Sequence, residues 1–314
     1  MAAAVIHRYG FDDLRRFASA LGAAAGLPPP RSLALTSHLL WFDAAGAPTL
    51  GIATLPSWLE AIERRRVDPT ATGRVTSERT ALALFDGENG PAPLILGRAA
   101  EVAVEKAREA AVGLVRISGV GRIPSAAPVA AGIAVGPMAG WVLGPNRCWS
   151  MALPSQGGPP LVVDSGLSEV EAGGKPAPAG GTGRRTPHPP KSTTAGRDGP
   201  IPASTLLEGF WLGTEILIPE GDWLVAAVSV PAMDSLAAWH QRSAAIGDRM
   251  PTAPGRLPPE AGEARRRRVR REGVGVEPAA WKSLAHWAHR LSVEVPDPID
   301  DGSDPIDRPG VSPA

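Results

Sequence analysis

Two histidines near the C-terminus, His286 and His289, stand three residues apart, a spacing that puts both imidazoles on one face of a helix. A metal site needs a third ligand and a shaped cavity. No Asp or Glu four residues further on supplies one, so these are ordinary helix histidines and no metal is expected. The run Arg265 to Arg271, RRRRVRR, and the triplet Arg64-Arg65-Arg66 have the charge to hold phosphates. Against that, Lys plus Arg equals Asp plus Glu at 32 each, and no aromatic residues interleave the longer run, so a solvated helix face is expected and no nucleic-acid partner. The triplet falls where a helix should end, a place that favours cations on electrostatic grounds alone. No G-x-G-x-x-G after a strand, no Walker loop and no G-x-S-x-G elbow occurs, which argues against the common nucleotide and hydrolase folds. Asn146, Asp164 and Ser168 follow apolar runs. Polar groups there either bond their own backbone or reach a ligand, and both roles stay open.

The single cysteine, Cys148, excludes an intrachain disulfide framework and a cysteine-based zinc cluster, which fits a reducing compartment, by default the cytoplasm. No run approaches the roughly 20 apolar residues of a membrane helix. The N-terminus meets Asp12 and Asp13 before an export segment can form, so a soluble, unexported chain with no membrane partner is expected.

These groups must be positioned by regular elements. Phe11, Leu14, Phe17, Ala18 and Leu21 lie at helical spacing in residues 11–26, which Gly26 and Pro28 to Pro30 bring to a stop. Further helices are predicted from about Pro30 to Ala44 and from Pro56 to Arg66. Residues 75–86, VTSERTALALFD, alternate and end at Asp86-Gly87, which predicts a strand and a turn. Residues 97–113 predict a helix with Ala100, Val104, Ala107 and Ala111 on its apolar stripe, feeding the buried run Gly113 to Ser118. A helix feeding such a run implies an α/β layer. Residues 126–140 offer only small residues and turns. Residues 173–204, rich in Pro, Gly, Ser and Thr, predict a flexible linker that a nonspecific protease should cut, with His188 and Lys191 as solvated linker residues. Thr214 to Pro219 and Asp222 to Val228 are expected to pair across Pro219-Glu220-Gly221. Helices from Pro231 to Ile246, through the basic run, and from Pro278 to Leu291 follow. The expected organisation is therefore helices and core in 1–172, the linker 173–204, strands and helices completing the same fold in 205–296, and a disordered tail, 297–314.

One stretch carries a resemblance. Residues 36–56, TSHLLWFDAAGAPTLGIATLP, place Asp43, Gly46, Gly51, Leu55 and Pro56 as in the pattern A-D-L-x-G-x-x-S-H-G-x-x-R-L-P, and Trp58-Leu59 and Val67-Asp68-Pro69 follow at matching distances. Arg116 and Ser118 keep R-x-S, Leu143 to Arg147 stands where L-G-T-N-P is expected, and residues 160–168 resemble P-x-V-x-D-x-A-T-S. The sequence thereby resembles the malate/L-lactate dehydrogenase family of the LDH2/MDH2 type. That resemblance implies an α/β oxidoreductase fold of non-Rossmann kind, a mixed sheet with surrounding helices, here partly truncated. It also implies a homodimer using NAD or NADP to interconvert 2-hydroxy and 2-oxo acids or to reduce cyclic imino acids. Asn146, Asp164, Ser165, Gly166 and Ser168 would stand at the nicotinamide cofactor. Three positions depart from the pattern. The family's acid/base histidine is Leu50, its carboxylate-binding arginine is Thr54 and its second histidine is Val120, so ordinary catalysis is expected to be impaired or lost. The alternatives are an oxidoreductase with a rebuilt acid/base group, for which Arg122 or His38 is the first suspect, and a repurposed protein, either a non-redox enzyme or a pseudoenzyme that regulates or scaffolds a partner.

Overall fold

Prolines start most of the helices, because the ring's fixed φ suits the first turn and its missing N–H is unpaired there anyway. In the computed structural model, which describes residues 6–171, 218–249 and 256–299, they open α2 (Pro29–Ala45), α3 (Leu55–Glu63), α4 (Ala92–Ala110) and α5 (Ala127–Ile133). The later helices are α6 (Ser165–Glu171), α7 (Val230–Met233), α8 (Leu236–Arg249), α9 (Pro259–Glu272) and α10 (Pro278–Leu291); α1 (Phe11–Ala24) precedes them all. The expected linker 173–204, the strand residues 214–217 and the tail from 300 onward lie outside the described residues.

Eight strands form one mixed sheet in the order β2 (Arg74–Glu78), β3 (Leu82–Asp86), β4 (Val112–Ser118), β8 (Trp223–Ser229), β5 (Met138–Gly144), β6 (Cys148–Leu153), β7 (Leu161–Asp164) and β9 (Arg256–Leu257). Among the described strands only β3 and β4 run parallel, joined through α4 as a β-α-β unit; the other pairs are antiparallel. A separate two-stranded ribbon pairs β1 (His7–Tyr9) with β10 (Val274–Val276), so the two ends of the described chain meet. Tyr9 stacks on Trp281 of α10 at 3.8 Å between ring centroids beside that ribbon. The expected α/β class and mixed sheet are present.

Several local expectations need correction. Residues 75–86 form two strands, since only Leu82 to Asp86 alternates in burial; every residue of β2 is exposed, and the chain turns between the strands at Arg79 to Ala81. The helix expected at 97–113 starts at Ala92, because Pro91 and Pro93 act as a helix start and not as breakers, and it ends where Ala111 turns left-handed at φ 65°. Its buried alanines include Ala99, Ala100, Ala103 and Ala107, so Ala100 and Ala107 lie on the buried stripe as expected, whereas Val104 and Ala111 are only half-buried. The small-residue section 126–140 contains α5 and the start of β5. The expected helix 231–246 is broken at Asp234-Ser235 into α7 and α8. Residues 222–228 were expected to pair with 214–219, yet both edges of β8 are taken, one by β4 and the other by β5.

The basic run lies on α9. Arg267 pairs with Glu263, and Arg268 and Arg271 pair with Glu272. Arg265 donates to the carbonyl of Ala45 at 2.8 Å, satisfying an orphan acceptor at the end of α2, where Gly46 turns left-handed at φ 84°. His286 and His289 are both exposed on α10, and no group of three or more His, Cys, Asp or Glu suited to a metal occurs among the described residues. Among them, no helix is long and apolar enough to cross a membrane.

Candidate active site

The turn between α2 and α3 is built around one carboxyl group. Asp43, in the last turn of α2, is only 8% exposed and accepts the backbone N–H of Ile52 at 2.8 Å. That bond anchors two single-turn 3-10 segments, Pro48–Leu50 and Ile52–Thr54, that lead into α3. Gly51 lies over the carboxyl so closely that an added methyl would stand 2.4 Å from Asp43 Oδ2. This explains in physical terms why Asp43 and Gly51 go together.

The turn forms one wall of a cleft. Leu50 and Thr54 line it, facing His38 and Phe42 of α2, with Ser57 and Trp58 of α3 beside them. Ile123, Pro124 and Ser125, from the β4–α5 connection, close the other side. Among the described residues, no Lys, Arg, Asp or Glu lines the cleft, and His38 is the one ionisable group in its lining. The imidazole is half-buried, edge-on to Phe42 at 5.6 Å, and forms no hydrogen bond among the described residues; desolvation lowers its pKa to about 3, so it is neutral near pH 7. Of the hydroxyls, Thr54 Oγ1 is engaged with the carbonyl of Gly51 at 2.8 Å, and Ser125 Oγ accepts the N–H of Ala127 at 3.2 Å.

The expected catalytic positions are therefore brought together only in part. Leu50 and Thr54 share the cleft, whereas Val120 lies outside its lining and packs on the Asp86-Gly87 turn, where a methyl on Gly87 would fall 2.1 Å from Val120 Cγ2. Arg122 is not in the lining either. Ser57, Trp58 and Ser125 escaped the sequence reading as cleft residues. Ser125 had a usable signal, a serine just ahead of an alanine-rich helix start.

Behind Pro124 and Ser125 lies the corner where β6, β7 and α6 meet. Asp164 is fully buried; it accepts the Ser150 hydroxyl and the N–H of Leu167, the latter at 2.7 Å. Burial raises its pKa to about 6 in spite of those bonds. Ser165 Oγ accepts the N–H of Trp149 at 3.0 Å and donates to the carbonyl of the same residue at 3.2 Å. Gly166 packs so tightly that a methyl there would stand 2.3 Å from the Pro124 carbonyl oxygen. Asn146 is exposed, left-handed at φ 60°, in the β5–β6 turn, and Ser168 is half-buried on α6. Of the five residues expected at a cofactor, Asp164, Ser165 and Gly166 are thus used internally to fix the corner against the cleft wall.

This α/β architecture and the cleft at the α2–α3 turn decide the comparison. Residues 9–143 match the malate/L-lactate dehydrogenase family. The matched part includes every cleft residue and stops before Asn146, so the corner lies beyond it. No curated protein sequence matches this chain. Solved dehydrogenases of this fold do. Malate dehydrogenase from Pyrococcus horikoshii aligns with a TM-score of 0.70 at 17% identity, over 94% of this chain and 99% of its own. Malate dehydrogenase from Entamoeba histolytica gives 0.72 at 15% identity, over 93% and 100%. The delta1-piperideine-2-carboxylate reductase from Pseudomonas syringae gives 0.63 at 18%, over 90% and 99%. The fold is that of the malate/L-lactate dehydrogenase type.

Asp43 gives the site a measurable pH signature. Burial raises its pKa to about 7, against the pull of its backbone hydrogen bonds. An acid with a raised native pKa keeps its proton where the unfolded chain has lost it, so the contribution of Asp43 to stability falls as pH rises from about 4 to about 7. His38, with its lowered pKa, acts in the opposite sense from about pH 3 to 6.5, so the group is isolated only by difference. We expect Asp43→Asn to gain stability relative to wild type across that window, by up to about 4 kcal/mol. Paired urea titrations at several pH values would read it, and a constant difference between the two proteins would refute the assignment.

Proposed function

We propose that this chain is a divergent relative of the malate/L-lactate dehydrogenases in which NAD(P)-dependent interconversion of 2-hydroxy and 2-oxo acids, or reduction of cyclic imino acids, is lost or deeply impaired, and whose cleft serves a non-redox or regulatory role. The observation that carries this is the cleft lining: Leu50 and Thr54 stand where the resemblance expects an imidazole and a guanidinium, and no charged side chain among the described residues replaces them. A hydride transfer at C2 of a 2-oxo acid requires a proton to reach the new hydroxyl and a cation to hold the carboxylate. Leucine can do neither, and threonine supplies no charge.

The nicotinamide itself would supply the hydride when bound. Of the residues expected to hold it, two do not fit direct contact: Asp164 is sealed from solvent and Ser165 is doubly bonded to the Trp149 backbone. We therefore assign no step to this cofactor.

A second possibility, an oxidoreductase with a rebuilt proton donor, is favoured by one observation, the placement of His38 in the cleft. Its neutral imidazole can donate a hydrogen bond but is a weak base. Titration of the protein into NADH and NADPH separates the two. The proposal expects no quenching or shift of nicotinamide fluorescence at micromolar protein; saturable quenching would favour the oxidoreductase.

The homodimer implied by the resemblance should survive the loss of catalysis, because interface burial supports stability independently. Leu33, on the cleft helix α2, is 45% exposed and is a natural candidate for cover. Light scattering should give twice the chain mass at micromolar concentration, and a monomer would count against the dimer. A cytoplasmic setting, with Cys148 reduced and buried, belongs to the same proposal.

A further inference from the structure

The lining that argues against a carboxylate also says what the cleft can hold. Its walls are mostly carbon, from Phe42, Leu50, Trp58 and Ile123. Its polar groups are neutral, and two of the four hydroxyls are already engaged, Thr54 with the Gly51 carbonyl and Ser125 with the Ala127 N–H. Thr49, Ser57 and His38 have no hydrogen-bond partner among the described residues, so they are the groups left to meet a ligand. The start of α3 offers an anion little. Pro56 has no N–H, and the N–H of Leu55 is taken by the Ile52 carbonyl. The carboxyl of Asp43 sits directly behind the turn, and Arg265, the guanidinium docked at the end of the same helix, is committed to the Ala45 carbonyl. A carboxylate entering here would shed its water and find no cation among the described residues in return.

We propose that the cleft binds small uncharged compounds, a compact apolar body bearing a neutral carbonyl or amide that Ser57, Thr49 and His38 meet, and discriminates against the corresponding carboxylates. This rests on the cleft being the working site of the protein, as proposed above. It goes further in naming the ligand class.

The test uses matched pairs differing in charge, benzamide against benzoate and methyl pyruvate against pyruvate, titrated calorimetrically into the full chain. The neutral member of at least one pair should bind at least about tenfold more tightly than its anion. Ser57→Arg, which sets a cation at the start of α3, should reverse that order; the exposed Thr49→Lys makes the same test if the first variant folds poorly. Equal or tighter binding of the carboxylates would overturn the proposal. So would the absence of binding by either neutral compound, or a preference that both folded variants leave unchanged. Consumption of NADH with pyruvate would overturn the loss of dehydrogenation instead, and the two failures are read in separate assays.

Discussion

Gly113→Ala should destabilise the protein by about 3 kcal/mol or more, the upper end of what overpacking costs. The stripe Ala99, Ala103 and Ala107 is essentially free of solvent and lets α4 approach the sheet by backbone contact. At Gly113, the second residue of β4, a methyl would stand 1.9 Å from the carbonyl oxygen of Ala103 and 3.0 Å from the backbone N of Ala107. Neither is the end of a flexible side chain. The whole of α4 would have to lift from the sheet, and the β3–α4–β4 unit is the one parallel crossover that sets the layer. Total stabilities of about 5–15 kcal/mol leave little room for such a loss. Gly97→Ala is the control with opposite sign: it lies on the same helix with nothing within 4 Å of the added methyl, so better helix propensity should stabilise by up to about 1 kcal/mol. Denaturant melts of the two variants would decide. A Gly113→Ala protein as stable as wild type would mean that α4 does not pack as described.

Much of this arrangement was legible in the sequence, and the parts that were not have physical reasons. Helix spans at α1, α2 and α10 follow from the spacing of apolar residues and from flanking prolines and glycines, which are local signals. The turn at Asp86-Gly87 and the pairing of Asp43 with Gly51 were visible as motif. The central place of β8 was not, because the pairing of a strand is settled by partners more than 80 residues away in β4 and β5. The edge strand β2 was hidden because its exposed residues carry no alternation to read. In the site, Leu50 and Thr54 were legible as two positions four apart in one motif, and both line the same cleft. Val120 was not separable from them, since nothing local says that the chain after β4 first folds over Gly87 before reaching the cleft with Ile123. Asp164 and Ser165 look like ligand groups in sequence; their burial, and the bonds to Ser150 and Trp149 that use them up, depend on β6 lying alongside β7.

The larger expected effect concerns rate. Removing general acid/base help typically costs about 10²–10⁴ in rate, and losing a carboxylate clamp removes orientation as well. The two belong to one constellation, so their costs need not add. Turnover of a 2-oxo acid should still fall at least about 10³ below that of a relative with both groups intact. Because Leu50 and Thr54 share the cleft and Val120 does not, Leu50→His/Thr54→Arg is the variant that would restore the missing chemistry to the cleft, with no change at Val120. Any regained activity should saturate with the carboxylate substrate.

The central claim is that this cleft lacks the groups for ordinary 2-hydroxy acid chemistry, and steady-state turnover tests it most directly. Purified wild-type protein is assayed with pyruvate, oxaloacetate and a cyclic imino acid, each with NADH and NADPH. The expected result is no consumption of reduced nicotinamide above background with any pair. Turnover in the ordinary enzymatic range, about 1–10³ per second, would contradict it and make His38→Ala the next variant to examine, as the one imidazole among the described residues of the cleft lining.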